Sequence, residues 1–156
     1  MRITLIQLGK TRFPYLQEGI SDYHKRIQHY INFDEFTIPD LKNSKNLSIT
    51  EIRKKEGDQV LKNIDKSAYL ILLDEHGNQC NSLEFAEFIQ KNINNGRDIV
   101  LLIGGAYGFS EEVYSRANDK ISISKMTFSH QMVRLIFAEQ LYRAMTIIRG
   151  EPYHHC

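Results

Sequence analysis

The chain has 156 residues, 42% of them hydrophobic, which suffices for one buried core, and a single domain over 1–156 is expected. A formal net charge of +1 lacks the basic excess from which nonspecific phosphate affinity comes, so composition alone argues against nucleic acid unless the basic residues gather on one face. Two cysteines, Cys80 and Cys156, exclude a disulfide framework. The first nine residues are too short and alternating for a signal peptide, and no run of about eighteen apolar residues occurs after them, so a cytoplasmic protein is expected.

Arg2 to Leu8 alternates and reads as a strand, with Pro14 placed for a first helical turn and a helix from Tyr15 to about His29. Phe33 to Ile38 reads as a second strand, stopped by Pro39 and Asp40. A polar loop from Lys42 to Leu47 leads to Ser48 or Thr50, either able to cap a charged helix through Lys62 that Gly57 interrupts in composition. Lys42, Lys45, Arg53, Lys54 and Lys55 cluster here, as a phosphate-facing patch or simply as a solvated helix face.

From Ala68 to Leu73 an apolar run reads as a buried central strand ending at Asp74 and the turn signal His76-Gly77. Ser82 is the expected cap of the next helix, which Gly96 closes. A second apolar strand, Ile99 to Ile103, enters Gly104-Gly105, and Ser110 with Glu111 and Glu112 opens another helix. Lys120 to Ile123 is a last short strand. The final helix, Gln131 to about Ile148, carries apolar residues over more than one stripe, as expected of a helix that also packs on a second subunit or is deeply buried in one. Strands alternating with helices imply an α/β fold, a mostly parallel sheet with helices on both faces.

In such sheets ligands bind beyond the carboxyl ends of the strands, so the segments after Leu73, Ile103 and Ile123 are the places for a site. Gly104-Gly105-Ala106-Tyr107-Gly108-Phe109-Ser110 is a glycine turn through which a ligand can approach the backbone, or else a tight turn with close helix packing. It has neither the Lys-Ser or Lys-Thr of a phosphate-binding loop nor the glycine spacing of a dinucleotide fold.

Leu101-Leu102-Ile103-Gly104-Gly105 with Gly108, and the closing Glu151-Pro152-Tyr153-His154, resemble the RlmH family of SPOUT-class RNA methyltransferases. Ser129-His130 with Val133-Arg134, the run Ala138 to Ala144, and Gln7-Leu8-Gly9-Lys10 extend the resemblance over essentially the whole chain. The resemblance implies a C-terminal deep trefoil knot, an exception to the rule against threaded chains. It further implies S-adenosylmethionine bound by backbone groups of the knot loops, at positions matching Leu73, Gly105, Ile123, Ser124, Lys125, Met126, Thr127 and Phe128, with no metal.

The implied reaction methylates N3 of a pseudouridine in 23S ribosomal RNA, by a homodimer acting on assembled ribosomes. Such a site must align nitrogen, carbon and sulfur and help remove the imide proton. His130, Glu139, Arg143, Tyr153 and His154 are the candidates for that second task. Each also has a plain structural alternative, such as a helix ion pair for Glu139 and Arg143 at i, i+4. The resemblance suggests that the tail completes the site across the dimer.

Relatives commonly place a basic residue after the Tyr-His pair, whereas this chain ends His155-Cys156, which weakens phosphate contact by the tail. His154, His155 and Cys156 are adjacent and lack the spacing of a structural zinc site. Two other functions are compatible with the same sequence: a noncatalytic ribosome-binding factor of the same fold, and a SPOUT enzyme acting on another RNA.

Overall fold

The computed structural model describes residues 1–155, so Cys156 lies outside it. The elements run β1 (Ile3–Leu8), α1 (Pro14–Ile27), β2 (Phe33–Ile38), α2 (Ile49–Lys62), β3 (Tyr69–Gln79), α3 (Ser82–Asn94), β4 (Ile99–Ile103), α4 (Glu111–Arg116), β5 (Asp119–Ser122) and α5 (Met132–Ile148). Single 3-10 turns lie at Ser44–Asn46 and Pro152–His154. The five strands pair in the order β2-β1-β4-β3-β5, all parallel.

The alternation of each strand sorts its side chains onto two faces. Ile3, Leu5, Ile71, Leu101 and Ile103 meet Ile27, Ile89, Phe137 and Leu141, which places α1, α3 and α5 on one face. Ile6, Leu70, Leu72 and Leu102 meet Val60 of α2 and Val113 of α4 on the other. Because both faces are covered, β4 reads as an unbroken apolar run, and all five of its residues are buried.

Three local expectations are corrected. The turn signal His76-Gly77 does not end β3, which continues to Gln79 with a register shift: both Leu73 and Asn78 sit opposite Ile121 of β5. Gly77 permits close approach rather than a turn, since a Cβ there would lie 2.7 Å from the Ile121 backbone. Gly57 does not interrupt α2 either; it is buried where α2 crosses α4, and a Cβ would lie 2.4 Å from Ser110 Oγ. The cap of α3 is Asn81, not Ser82: Asn81 and Glu84 form a reciprocal capping box, while Ser82 Oγ is turned toward Gln140.

Elsewhere the local chemistry agrees with expectation. Ser48 caps α2 in a capping box with Glu51, Ser110 caps α4 by accepting from the Val113 amide, and Gly96 takes a φ of +71° just past α3.

Candidate methyl-transfer site

A cavity of about 430 Å³ opens beyond the carboxyl ends of β4 and β5 and beside the middle of β3. Its walls are Leu73 to Glu75 of β3, the glycine turn after β4, the end of β5 at Ile121 and Ser122, and residues of the segment 123–130 that leads into α5. Of the eight residues expected to hold a cofactor, Leu73, Gly105, Ile123, Ser124, Met126, Thr127 and Phe128 line it; Lys125 does not. Lys125 is exposed beside them.

The glycine turn is shaped from behind. The Gly108 amide donates to the Gly105 carbonyl at 3.3 Å, and Gly108 has a φ of +80° that favours glycine. A Cβ on Gly104 would lie 2.9 Å from the Phe109 ring, and one on Gly105 would lie 3.0 Å from the Glu56 carboxylate. Glu56 approaches from α2 with Oε1 unpartnered, and its carboxyl is held above the usual range by burial and by nearby Asp40.

α2 also braces the loop through Arg53, whose Nε donates to the Tyr107 carbonyl, and through Lys54, 3.7 Å from Glu112 of α4. Two members of the basic cluster are thus engaged with this loop, while Lys42, Lys45 and Lys55 remain on the surface.

The five proton-transfer candidates separate into two places. His130 lines the cavity, and burial, then the charges of Arg134 and Arg12, lower its imidazole below the ordinary histidine value. The other four form one cluster where α5 meets the tail. Arg143 Nη2 donates to Glu139 Oε1, Tyr153 hydroxyl donates to the same oxygen at 3.0 Å, and Arg143 Nη1 lies 3.1 Å from His154 Nδ1. The guanidinium also stands 4.8 Å from the Tyr153 ring centre, and that ring packs edge-on against Tyr142.

Glu139 and Arg143 are therefore more than an i, i+4 pair, because the tail is docked on both. Burial, then hydrogen bonds with Tyr23 and Glu139, raise the Tyr153 phenol well above its ordinary value, so it stays a neutral donor. None of the four lines the cavity of its own chain.

One residue that spacing did not single out joins the two halves. Arg134 of α5 is fully buried, and its guanidinium donates to the carbonyls of Leu8 at 2.6 Å, Gly9 at 2.8 Å and His130 at 3.2 Å, and to Thr11 Oγ1 at 3.1 Å. Beside it, Gln131 accepts from the Arg12 amide and donates to the Lys10 carbonyl. The sequence hint was its place in the Ser129-His130 and Val133-Arg134 pattern.

The model of the family described as predicted SPOUT methyltransferases matches residues 1–154. The chain is 54% identical to the ribosomal RNA large subunit methyltransferase H of Christiangramia forsetii and 53% identical to that of Flavobacterium johnsoniae, each over 99% of both chains. The protein of the same name from Bacteroides thetaiotaomicron is 51% identical over the same span. Among solved structures, a probable methyltransferase from Bordetella pertussis superposes with a TM-score of 0.58 over 92% of this chain and 94% of the other, at 11% identity, a likeness of fold. The chain belongs to the SPOUT methyltransferases, in the family of the ribosomal RNA large subunit methyltransferases H.

Proposed function

We propose that the protein transfers a methyl group from S-adenosylmethionine to N3 of a pseudouridine in 23S ribosomal RNA, as a cytoplasmic homodimer acting on assembled ribosomes. The observation that carries this reading is the cavity at the ends of β4 and β5 beside β3, lined by seven of the eight residues the family resemblance implies for the cofactor, in a chain half identical to proteins named as large-subunit methyltransferases. On this reading residues 1–156 form one methyltransferase domain, and the segment 123–130 belongs to the family's trefoil knot.

The residues fit the methyl donor. The cavity volume is typical of small-molecule sites, Leu73, Ile103, Ile123 and Val133 offer apolar contact, and Gly104 and Gly105 present backbone with no side chain in the way. When bound, S-adenosylmethionine supplies an electrophilic methyl group on a sulfonium.

This chain's residues supply positioning and proton handling. His130, at the cavity and held neutral near pH 7, can accept the imide proton of the base. Arg143 can donate to the uracil face as negative charge develops there, with Glu139 fixing the guanidinium and accepting the one Tyr153 hydroxyl proton, which holds the tail in place. Since those groups sit away from the cavity of their own chain, the complete site takes its tail from a second copy. The breadth of α5 supports such a dimer: Val133, Leu135, Ile136, Tyr142, Ile147 and Ile148 remain partly exposed in the single chain.

The experiment is transfer of radiolabelled methyl from S-adenosylmethionine to ribosomes from cells lacking the endogenous enzyme, comparing wild type with Gly105→Trp and Tyr153→Phe. Label in 23S RNA that Gly105→Trp abolishes and Tyr153→Phe reduces supports the reading. Cofactor binding without transfer would favour a noncatalytic ribosome-binding factor, transfer to another RNA would move the substrate, and equal labelling of free RNA would overturn the ribosome requirement.

A further inference from the structure

The turn from β1 into α1 is held from inside at every residue from Gly9 to Arg12. The Gly9 amide donates to the Ile38 carbonyl at 2.7 Å, its carbonyl accepts from Arg134 Nη1, and Thr11 Oγ1 accepts from the same nitrogen. Gln131 accepts from the Arg12 amide at 2.7 Å and donates to the Lys10 carbonyl at 3.2 Å. Gln17 Nε2 closes the turn from α1 by donating to the Thr11 carbonyl at 2.6 Å. A loop already fixed in this way loses little further freedom when something binds it.

Between these anchors the side chains go outward. Lys10 is exposed and in no ion pair among the described residues. Arg12 approaches Asp40 at 4.0 Å with side chains 69% and 67% exposed, a pair that water screens and a stronger anion can replace. Phe13 is 46% exposed and Tyr15 61%, and their rings lie 5.7 Å apart at a tilt of 33°. Two neighbouring rings in water beside two cations add nothing to the core. They match what single-stranded nucleic acid offers, phosphates and flat base faces. Glu18, one turn along α1 from Tyr15, sets an acidic edge to the patch.

The patch shares its support with the cavity. Gln131 and Arg134, which anchor the turn, flank the start of α5, and Arg134 Nε donates to the carbonyl of His130 in the cavity wall at 3.2 Å. The Arg12 charge is among those that lower the His130 imidazole, which also sets the turn close to the cavity.

We infer that Lys10, Arg12, Phe13 and Tyr15 form a landing surface for unpaired ribosomal RNA beside the methyl acceptor, with the cations on phosphates and the rings stacked on bases. The inference rests on the RNA substrate proposed above and adds the surface that holds it. A second copy of this chain fits the patch less well, because the centres of protein interfaces are depleted of charge, and α5 already offers partly exposed apolar residues for that contact.

Sedimentation of the protein with ribosomes lacking the methyl group, at fixed salt, tests it with Lys10→Glu and Tyr15→Ala, both exposed and outside the core. Lys91→Glu, exposed on α3, is the control of equal charge. The Kd for ribosomes should rise about fivefold or more in each variant, as a lost phosphate contact or base stack requires, with the Kd for S-adenosylmethionine unchanged. The dependence of log Kd on log salt should also be shallower in Lys10→Glu than in wild type.

Wild-type binding in either variant, or an equal loss in Lys91→Glu, overturns the surface. Dissociation of a wild-type dimer by Tyr15→Ala, read by sedimentation equilibrium, marks the face as a contact between copies and overturns it as well. Binding is read separately from transfer, so the two proposals can fail apart. Ribosome binding that both variants weaken, in a protein that transfers no methyl, keeps the surface and sinks the methyl transfer. Methyl transfer with a wild-type KM for ribosomes in both variants does the reverse.

Discussion

Replacing Arg134 with methionine should cost the fold about 3 kcal/mol, because four acceptors lose a charged donor at once. The carbonyls of Leu8, Gly9 and His130 and the hydroxyl of Thr11 all accept from this one buried guanidinium, and methionine fills much of its volume while donating nothing. Leaving four groups unpaired costs roughly 1–3 kcal/mol each. Several kcal/mol return because the guanidinium no longer has to be stripped of water, which leaves a net loss of about 3 kcal/mol. For a chain of this size that is a fall in melting temperature of roughly 6–12 °C. Thermal and urea unfolding of wild type, Arg134→Met and Arg134→Lys measure it, with lysine, a donor without the planar fork, expected between the two. Arg134→Met melting within about 2 °C of wild type would refute the argument that this side chain holds the 8–11 segment to α5.

Gly77→Ala should destabilise by about 1–3 kcal/mol, since its Cβ must displace the Ile121 backbone; unfolding at wild-type denaturant would contradict the close approach of β3 and β5. Asn81→Ala should cost about 1 kcal/mol, whereas Ser82→Ala should stay within about 0.5 kcal/mol, and equal losses in urea would put the cap of α3 in doubt. A histidine whose folded-state value is depressed favours the folded state above its unfolded value and loses that advantage as pH falls through the folded value. His130 is such a group, through burial and two arginines. Methyl transfer should therefore hold from pH 7 down past the ordinary histidine value and fall only below it, and His130→Asn should remove that acid limb from the kcat/KM profile.

The strands were legible because both faces of the sheet are covered, which writes β4 and the first part of β3 each as five consecutive apolar residues. The same rule hid the second half of β3. Residues 74–79 turn polar where the strand leaves the core, so His76-Gly77 looked like a turn when the glycine was there to admit Ile121. The expected cap, Ser82, lies one residue past the real one; the partner Glu84, three residues after Asn81, was the available clue. Of the candidate site, the cavity segments were legible from the rule that ligands bind beyond strand ends, but the cofactor only through family resemblance, since backbone-walled sites leave few side-chain signatures. The separation of His130 from the tail cluster was not legible at all. It depends on where α5 ends relative to where the cavity opens, a distance along a helix that no motif records.

The modest net charge also takes on meaning once each cation has a place. Arg53, Arg97, Arg116 and Arg134 donate to backbone carbonyls, and Arg2, Arg26 and Arg143 face carboxylates, so most arginines are committed to holding the chain together. Contact with phosphate falls largely to exposed lysines, which act as compact point charges without the forked geometry that grips a backbone. Nonspecific RNA affinity grows with each phosphate neutralised, and a protein whose cations are balanced to a net charge of +1 gains little of it. Specificity then has to come from shape: a folded particle that presents its nucleotide already unstacked, and built cavities that receive what is presented. That is the physical reason the ribosome, rather than a free strand, is the substrate proposed for this chain.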